Sequence, residues 1–492
     1  MNFKNWNILL TAILTLVLFS ACNREATIDR ILSKETKNKI YKDLEEEQLA
    51  ARIQSVLEKD AENLSEREFL KNYYQSHGYR AVMLEKFFAD EHLKLFAQEL
   101  SQAPEHGLNP ERFGAPAYQQ LLQQVSAKDA ITDLETAYQQ VAQLEVATAN
   151  ALLKYASTLQ FGALDPQKVL QRYYIELEKA DSSFRNQVLA SSDLKNLIDS
   201  IQPQSAAYKA MQEALKSASG DSAKTLMVNL ERARWKHKDI DTATMVYVNI
   251  PAFRLDFYKD GKNGKSMKVV VGTGRNNSGK VSFSENGRLK DQPHSHETPV
   301  LASMMHSVQV NPVWNIPESI AGKEILKLVQ NDRFYLSNAG IDVIQDGKVI
   351  EDPENMDWSS YSPDNLPFRF RQRPGSDNAL GKIKFLFKNN SAVYLHDTPA
   401  QAAFDREVRA SSHGCVRVAE PLELAELLFG KSDKFSVIKS NMESPEKQRA
   451  TDIALSPQTQ VVLDYKTVEW KDNKLHFHSD VYGIDRVLYS YL

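Results

Sequence analysis

The sequence predicts an α+β multidomain protein in which an all-α region leads into a β-rich one, and three observations carry that reading. Helical periodicity with sparse Gly and Pro dominates residues 65–238. Near Thr242 the apolar period falls from about 3.6 to about 2, the mark of strands. A polar, aromatic, turn-rich stretch at about 316–367 then interrupts the strands, which predicts a helical and loop insertion capping the β-rich domain. At 492 residues the chain has room for two or three domains with cores of their own. Its 42% hydrophobic and 25% charged residues and net charge of −4 fit a soluble globular body. With no basic block and no basic–aromatic interleaving, nucleic acid is not expected as a partner.

The elements follow in order. Lys4 precedes an apolar run, Ile8 to Phe19, that ends Leu18-Phe19-Ser20-Ala21-Cys22. The run is short for a membrane span and right for a signal-peptide core. Residues 1–21 therefore read as a signal peptide of lipoprotein type, Cys22 as the lipidated first mature residue, and 22–64 as a charged tether or helical spacer. An unlipidated signal peptide is the plainer alternative. If Cys22 carries lipid, Cys415 has no disulfide partner, and a lone thiol in an oxidising compartment needs a chemical task.

His92 to Ser101 aligns Leu93, Phe96 and Leu100 on one face, and Gly107 closes it. Asn109-Pro110 reads as an N-cap followed by proline at the first helical position. Leu144 to Leu159 aligns Leu144, Ala151, Leu152, Tyr155 and Leu159; Gly162 stops it, and Asp165-Pro166 restarts the pattern. His77, His92 and His106 read as surface or capping residues.

In the β-rich part, expected over 242–440, Met245 to Ile250 and Phe253 to Tyr258 alternate around the turn Asp260-Gly261, and Met267 to Gly272 is a compact apolar strand. Glu318 to Val329 reads as helix, as does the segment from Glu420-Pro421 to Gly430. Lys382 to Phe387 and Ala392 to His396 are strands across a turn. Residues 441–492 are expected to form a hairpin tail, Val461 to Trp470 with Leu475 to Phe477, around Asp472-Asn473.

The chemistry concentrates between Tyr394 and Val418. If Val393, Leu395, Val416 and Val418 face the core, alternation turns Tyr394, His396, Cys415 and Arg417 the other way. Thiol and imidazole then share one rim. A thiol becomes a useful nucleophile as the thiolate, which a neighbouring imidazole can generate. Cys415 is the expected nucleophile, His396 its base, and backbone N–H groups near Gly414 and Cys415 the oxyanion donors. A side chain at 414 is expected to crowd that loop. The backbone carbonyl of Asp397 or a nearby polar residue would orient His396.

His396, fifteen intervening residues, then Ser412-His413-Gly414-Cys415 resembles the signature of the L,D-transpeptidases, with a YkuD-type catalytic domain. Asn311-Pro-Val-Trp-Asn-Ile-Pro317, Phe370-Arg-Gln-Arg-Pro-Gly375 and Phe161-Gly-Ala-Leu-Asp-Pro166 are similar to the long, scaffolded YcbB-like branch. The resemblance implies Cys415 as nucleophile, His396 as base and His413 as a support for substrate or oxyanion. It also implies a tetrapeptide donor stem and a 3→3 cross-link; no cofactor is expected, and the lipobox-like leader leads to the expectation of a periplasmic protein anchored to a membrane, the inner leaflet of the outer membrane. Cell-wall synthesis proteins are expected partners of the helical domain. Two departures stand out: Ala206 to Trp235 is too short for the peptidoglycan-binding module many long members carry, and Arg417 stands where many short members have Asn.

Tyr394, Ser412, Arg417, Arg371 and Trp314 are the expected substrate contacts, because guanidinium groups pair with stem carboxylates and the aromatic rings suit a cleft. Trp314 reads equally as core. His294 and His296 read as an exposed loop, His476 and His478 as a surface pair, and no metal site is expected. A zinc site from His396, His413 and Cys415 ranks well below a thiol enzyme. Two rival functions stand beside the transpeptidase: an L,D-carboxypeptidase that uses water, and a cell-wall-binding scaffold without catalysis.

Overall fold

The computed structural model describes residues 27–60, 62–274, 283, 287–443 and 449–492. The expected signal peptide and Cys22 lie outside the described residues. The chain divides into two compact units, one ending at Ala163 and including Lys179–Gln212, the other formed by Leu164–Glu178 with Glu213–Leu492. The helical part expected over 65–238 is thus split, with helix Gly220–Arg234 in the second unit.

The first unit is helical and is built around Leu134–Phe161. Asp133 caps this helix by accepting the Thr136 N–H at 2.8 Å, and Gly162 follows at φ 90°. Leu144, Ala151, Leu152, Tyr155 and Leu159 are all buried in it, as the spacing predicts. Burying each large apolar side chain stabilises by about 1.5–3 kcal/mol. The same helix carries Glu145 into the core. Its carboxylate accepts from the Met83 and Leu84 N–H groups at 2.9 Å each and from the Tyr74 hydroxyl at 2.6 Å. Burial pushes the Glu145 pKa up to about 7, against the pull of those donors. Asn109 does cap, through the Glu111 N–H, but the helix it opens is a single tight turn, Pro110–Phe113.

The expected tether is corrected where it is described. Helices Ile28–Thr36 and Glu46–Lys59 bury Ile28, Leu32, Leu49 and Ile53 in the same core as Phe96 and Leu152. Tyr41 donates to the Val125 carbonyl at 2.8 Å. Apolar residues at i, i+4 and i+7 make that stripe, and the density of charge around them hides it in composition.

Strands of the second unit are β1 Met245–Asn249, β2 Arg254–Lys259, β3 Lys262–Gly272, β4 Leu301–Val310 and β5 Trp314–Ile316. Next come β6 Ile341–Gln345, β7 Lys348–Val349, β8 Arg369–Gln372, β9 Ile383–Phe387 and β10 Leu395–His396. The last are β11 Ala410–Ser412, β12 Val416–Val418, β13 Thr451–Asp464, β14 Val468–Lys471 and β15 Lys474–Phe477. Among the described residues the ladder β3-β12-β10-β9-β4-β13-β1-β2 returns to β3, closing a barrel, and β11 adds to β3. Alternation fills its interior: Ile383, Phe385, Leu395, Val416 and Val418 are fully buried.

Two expectations change here. The tail is not a simple hairpin: β13 is inserted between β4 and β1, antiparallel to the first and parallel to the second. Only β14 and β15 form the hairpin, around Asp472-Asn473. The insertion is not merely helix and loop either. It holds a four-stranded sheet, β5-β8-β6-β7, over its own core of Ile320, Leu326, Val343, Trp358 and Phe370. The helix expected from Glu318 contains a π-helical turn, Ala321–Ile325.

Candidate active site

Register sets the site. His396 on β10 lies opposite Lys384 on β9 and opposite Arg417 on β12. Directly paired residues project to the same face of a sheet. The row Lys384–His396–Arg417 therefore lies on the outer barrel face, because Leu395 and Val416, one position earlier, are buried in the core. Tyr394, two positions before His396, joins that face. Its ring centroid lies 5.7 Å from the imidazole and 5.6 Å from the Lys384 ammonium.

A cavity of about 410 Å³ opens on this face. Of the residues predicted from sequence, Trp314, Tyr394, His396, Ser412, His413, Cys415 and Arg417 line it. Thiol and imidazole thus meet one space, although no hydrogen bond joins them among the described residues.

His396 is 4% exposed, and the Asp397 carbonyl accepts from its Nδ1 at 2.5 Å. That bond places the proton on Nδ1 and leaves the Nε2 lone pair for chemistry. Burial pushes the His396 pKa down to about 3, and Arg417 and Lys384 add to the shift while the Asp397 and Leu380 carbonyls oppose it. Burial also pushes the Cys415 thiol up. Tyr394, Arg417 and Lys384 partly offset this by favouring the anion. At neutral pH the resting pair is a neutral thiol beside a neutral imidazole.

The turn that presents Cys415 is held from within. Ser412 Oγ donates to the Cys415 carbonyl at 2.6 Å and accepts the Gly414 N–H at 3.2 Å. Ser412 lines the cavity, and its hydroxyl also shapes the turn. The Gly414 N–H is engaged, whereas the Cys415 N–H has no acceptor among the described residues.

The reason for Gly414 changes too. A Cβ there would lie 3.6 Å from its nearest neighbour, the His296 carbonyl oxygen, so crowding is not the constraint. The constraint is its φ of 114°, which side-chain-bearing residues avoid. Crowding falls on Gly272 at the end of β3, where a Cβ would meet that same oxygen at 1.9 Å.

Other residues were invisible as site residues in the sequence. Thr298 accepts the Gly272 N–H at 2.8 Å and donates to the Gly414 carbonyl at 2.8 Å. Tyr482 from the tail donates to the Gly272 carbonyl at 2.8 Å and accepts the Thr298 N–H at 3.1 Å. His296, read as part of an exposed loop, lines the cavity and lies with its ring centroid 4.5 Å from that of His413. Burial, then His413 and His294, hold its pKa below the ordinary histidine value. The spacing His294-Ser-His296 offered no sign of this, since the contact is made across the fold.

His413 itself reaches the insertion, where its Nε2 lies 2.6 Å from Glu324 Oε1. Arg371 is corrected: it does not line the cavity, and its guanidinium donates to Asp342 at 2.8 Å within the insertion's sheet. His478 contacts Glu469 at 2.8 Å and His476 the Lys471 carbonyl at 3.2 Å, away from the site.

Comparison with known proteins agrees with this geometry. Residues 243–434 match the YkuD model, described as the L,D-transpeptidase catalytic domain, and residues 68–215 match the Scaffold domain. A protein of Haemophilus influenzae named "Putative L,D-transpeptidase" is 31% identical over 241 residues, which cover 49% of this chain and 44% of that protein. The match thus spans less than half of the relative's length. With a helical Scaffold region followed by a strand-rich YkuD domain that gathers thiol, imidazole and guanidinium in one cavity, this chain carries the catalytic domain of the L,D-transpeptidase family.

Proposed function

We propose that this protein is a peptidoglycan L,D-transpeptidase that makes 3→3 cross-links through a thioester on Cys415. The observation that carries the reading is the single cavity lined by Cys415, His396 and Arg417, within the part of the chain that matches the catalytic domain. The donor is a tetrapeptide stem, and the bond cut is the one between its third residue and the terminal D-alanine.

In the acylation step His396 Nε2 takes the Cys415 proton as sulfur attacks the donor carbonyl. Because the resting pair is neutral, that transfer accompanies attack rather than preceding it. The Cys415 N–H, which has no acceptor among the described residues, receives the developing oxyanion. Attack forms the S–C bond; collapse re-forms the carbonyl, breaks the C–N bond, and passes the proton from the imidazolium to the departing amine. In the second step the same nitrogen deprotonates an acceptor side-chain amine, which attacks the thioester and frees the thiol.

Arg417 faces the cavity without a carboxylate partner among the described residues, and Trp314 and Tyr394 supply its aromatic walls. The lipobox-like end of the leading apolar run supports an anchor at Cys22 and a place on the periplasmic face of the outer membrane. The helical region is the surface we assign to cell-wall synthesis partners.

Purified protein incubated with disaccharide-tetrapeptides is expected to yield cross-linked dimers by mass spectrometry, and Cys415→Ala none. Trimmed tripeptides without dimers would replace this reading with the L,D-carboxypeptidase. A carbapenem adduct that persists in Cys415→Ala would remove the thiol from the chemistry altogether.

A further inference from the structure

The row Lys384–His396–Arg417 raises a question of charge. An imidazole that is to become the counterion of a thiolate is helped by neighbouring anions. His396 sits instead between two cations, one on each neighbouring strand, with register fixing both. Its ring is buried, so each cation acts on it through little solvent.

We propose that Lys384 and Arg417 carry the countercharge of the Cys415 thiolate, leaving His396 to move the proton as a neutral base. On this view ionisation of the free protein breaks the Sγ–H bond, leaves the electron pair on sulfur and releases the proton to solvent by way of Nε2, so that the imidazole ends neutral. The anion is then held by an ammonium and a guanidinium rather than by an imidazolium. The inference rests on Cys415 being the nucleophile, as proposed above.

Three observations converge on it. Arg417 lines the cavity two residues from Cys415, and no ion pair of its guanidinium is formed among the described residues. Its Nε is buried without an acceptor. A guanidinium in that state is costly unless an anion arrives. Lys384 approaches the face of Tyr394, whose hydroxyl acts on the thiol, so ammonium, phenol and sulfur form a connected set. Electrostatically both cations favour the ionised sulfur, and both disfavour the ionised imidazole.

The other titratable and charged groups near the thiol are His413 in its own turn, His296 from the segment before β4 and Lys323 from the insertion. Of these, Lys323 adds positive charge, and His296 is held toward its neutral form. Asp452 on β13, which interacts with Lys384, and Glu324 of the insertion, 2.6 Å from His413, are the opposing charges in the set.

The test is the pH profile of alkylation by iodoacetamide, read by peptide mass on the fragment containing Cys415 in the full chain. It needs no stem peptide, so it stands or falls apart from the transpeptidase reading. Lys384→Met and Arg417→Gln are expected each to raise the apparent pKa of alkylation by about one unit, the size of a nearby opposite charge. Lys384→Arg and Arg417→Lys should restore the profile, while His396→Gln leaves it close to wild type.

The inference is overturned if His396→Gln alone moves the profile, or if both cation variants leave it in place. In that second case the cations serve the substrate carboxylate. Should Arg417→Gln fail to fold, Lys384→Met, at a half-buried position, decides the matter alone.

Discussion

Glu324 Oε1 lies 2.6 Å from His413 Nε2, so the insertion is tied to the residue two positions before the nucleophile. Glu324 occupies the π-helical turn of that insertion, an irregularity that re-aims a side chain within a helix. Both partners are partly exposed, and such pairs contribute about 1 kcal/mol or less.

Glu324→Ala should therefore raise the donor KM by about two- to fivefold with little change in kcat. Steady-state kinetics of dimer formation, run beside the alkylation rate of Cys415, checks this. A fall in kcat with unaltered KM would place Glu324 in the chemistry rather than in the coupling of insertion to turn.

The buried imidazole gives a stability signature. His396 has a folded pKa of about 3 against an ordinary 6.5. As pH falls through that window the unfolded chain binds a proton that the folded one refuses, so stability is present above 6.5 and is lost toward 3. His396→Gln lacks this contribution. Melting curves should show the wild type losing Tm faster than the variant between pH 6 and pH 4; parallel curves would mean that the ring is hydrated and ordinary.

Glu145 provides the corresponding test in the helical unit. Three donors, the Met83 and Leu84 N–H groups and the Tyr74 hydroxyl, depend on its carboxylate. Glu145→Leu leaves the Met83 and Leu84 N–H groups buried without an acceptor and the Tyr74 hydroxyl with only the backbone carbonyl of residue 145, at 3.4 Å, a loss of about 3 kcal/mol by denaturant titration. Its raised pKa adds a pH effect of the opposite sign to that of His396: the stabilisation from the neutral acid is present below the unfolded carboxylate range and is lost as pH rises through about 7. A wild-type helical unit that does not weaken on going from pH 5 to pH 8, relative to Glu145→Leu, would contradict this.

How much of this was legible can be read residue by residue. Alternation placed Val393, Leu395, Val416 and Val418 in the core and so brought His396, Cys415 and Arg417 to one face, because a period of two leaves only one consistent choice. The Asp397 carbonyl was among the expected partners of His396 and is the one found. His296, Thr298 and Tyr482 were hidden because their contacts join positions far apart in the chain, and local pattern carries no record of them. Arg371 was misassigned because proximity in sequence to a cavity says nothing about which face a strand of a separate small sheet presents. The helices before residue 60 were obscured by their charge, although their apolar spacing was present.

The late position of β13 has a bearing on how the barrel is completed. Until residues 451–464 are in place, β1 and β4 each present an unpaired strand edge, and edges of that kind invite pairing with other chains. A chain cut short at residue 450 would retain Cys415, His396 and Arg417 and yet have no ring to hold them. Premature termination there should yield aggregate rather than a weakened enzyme.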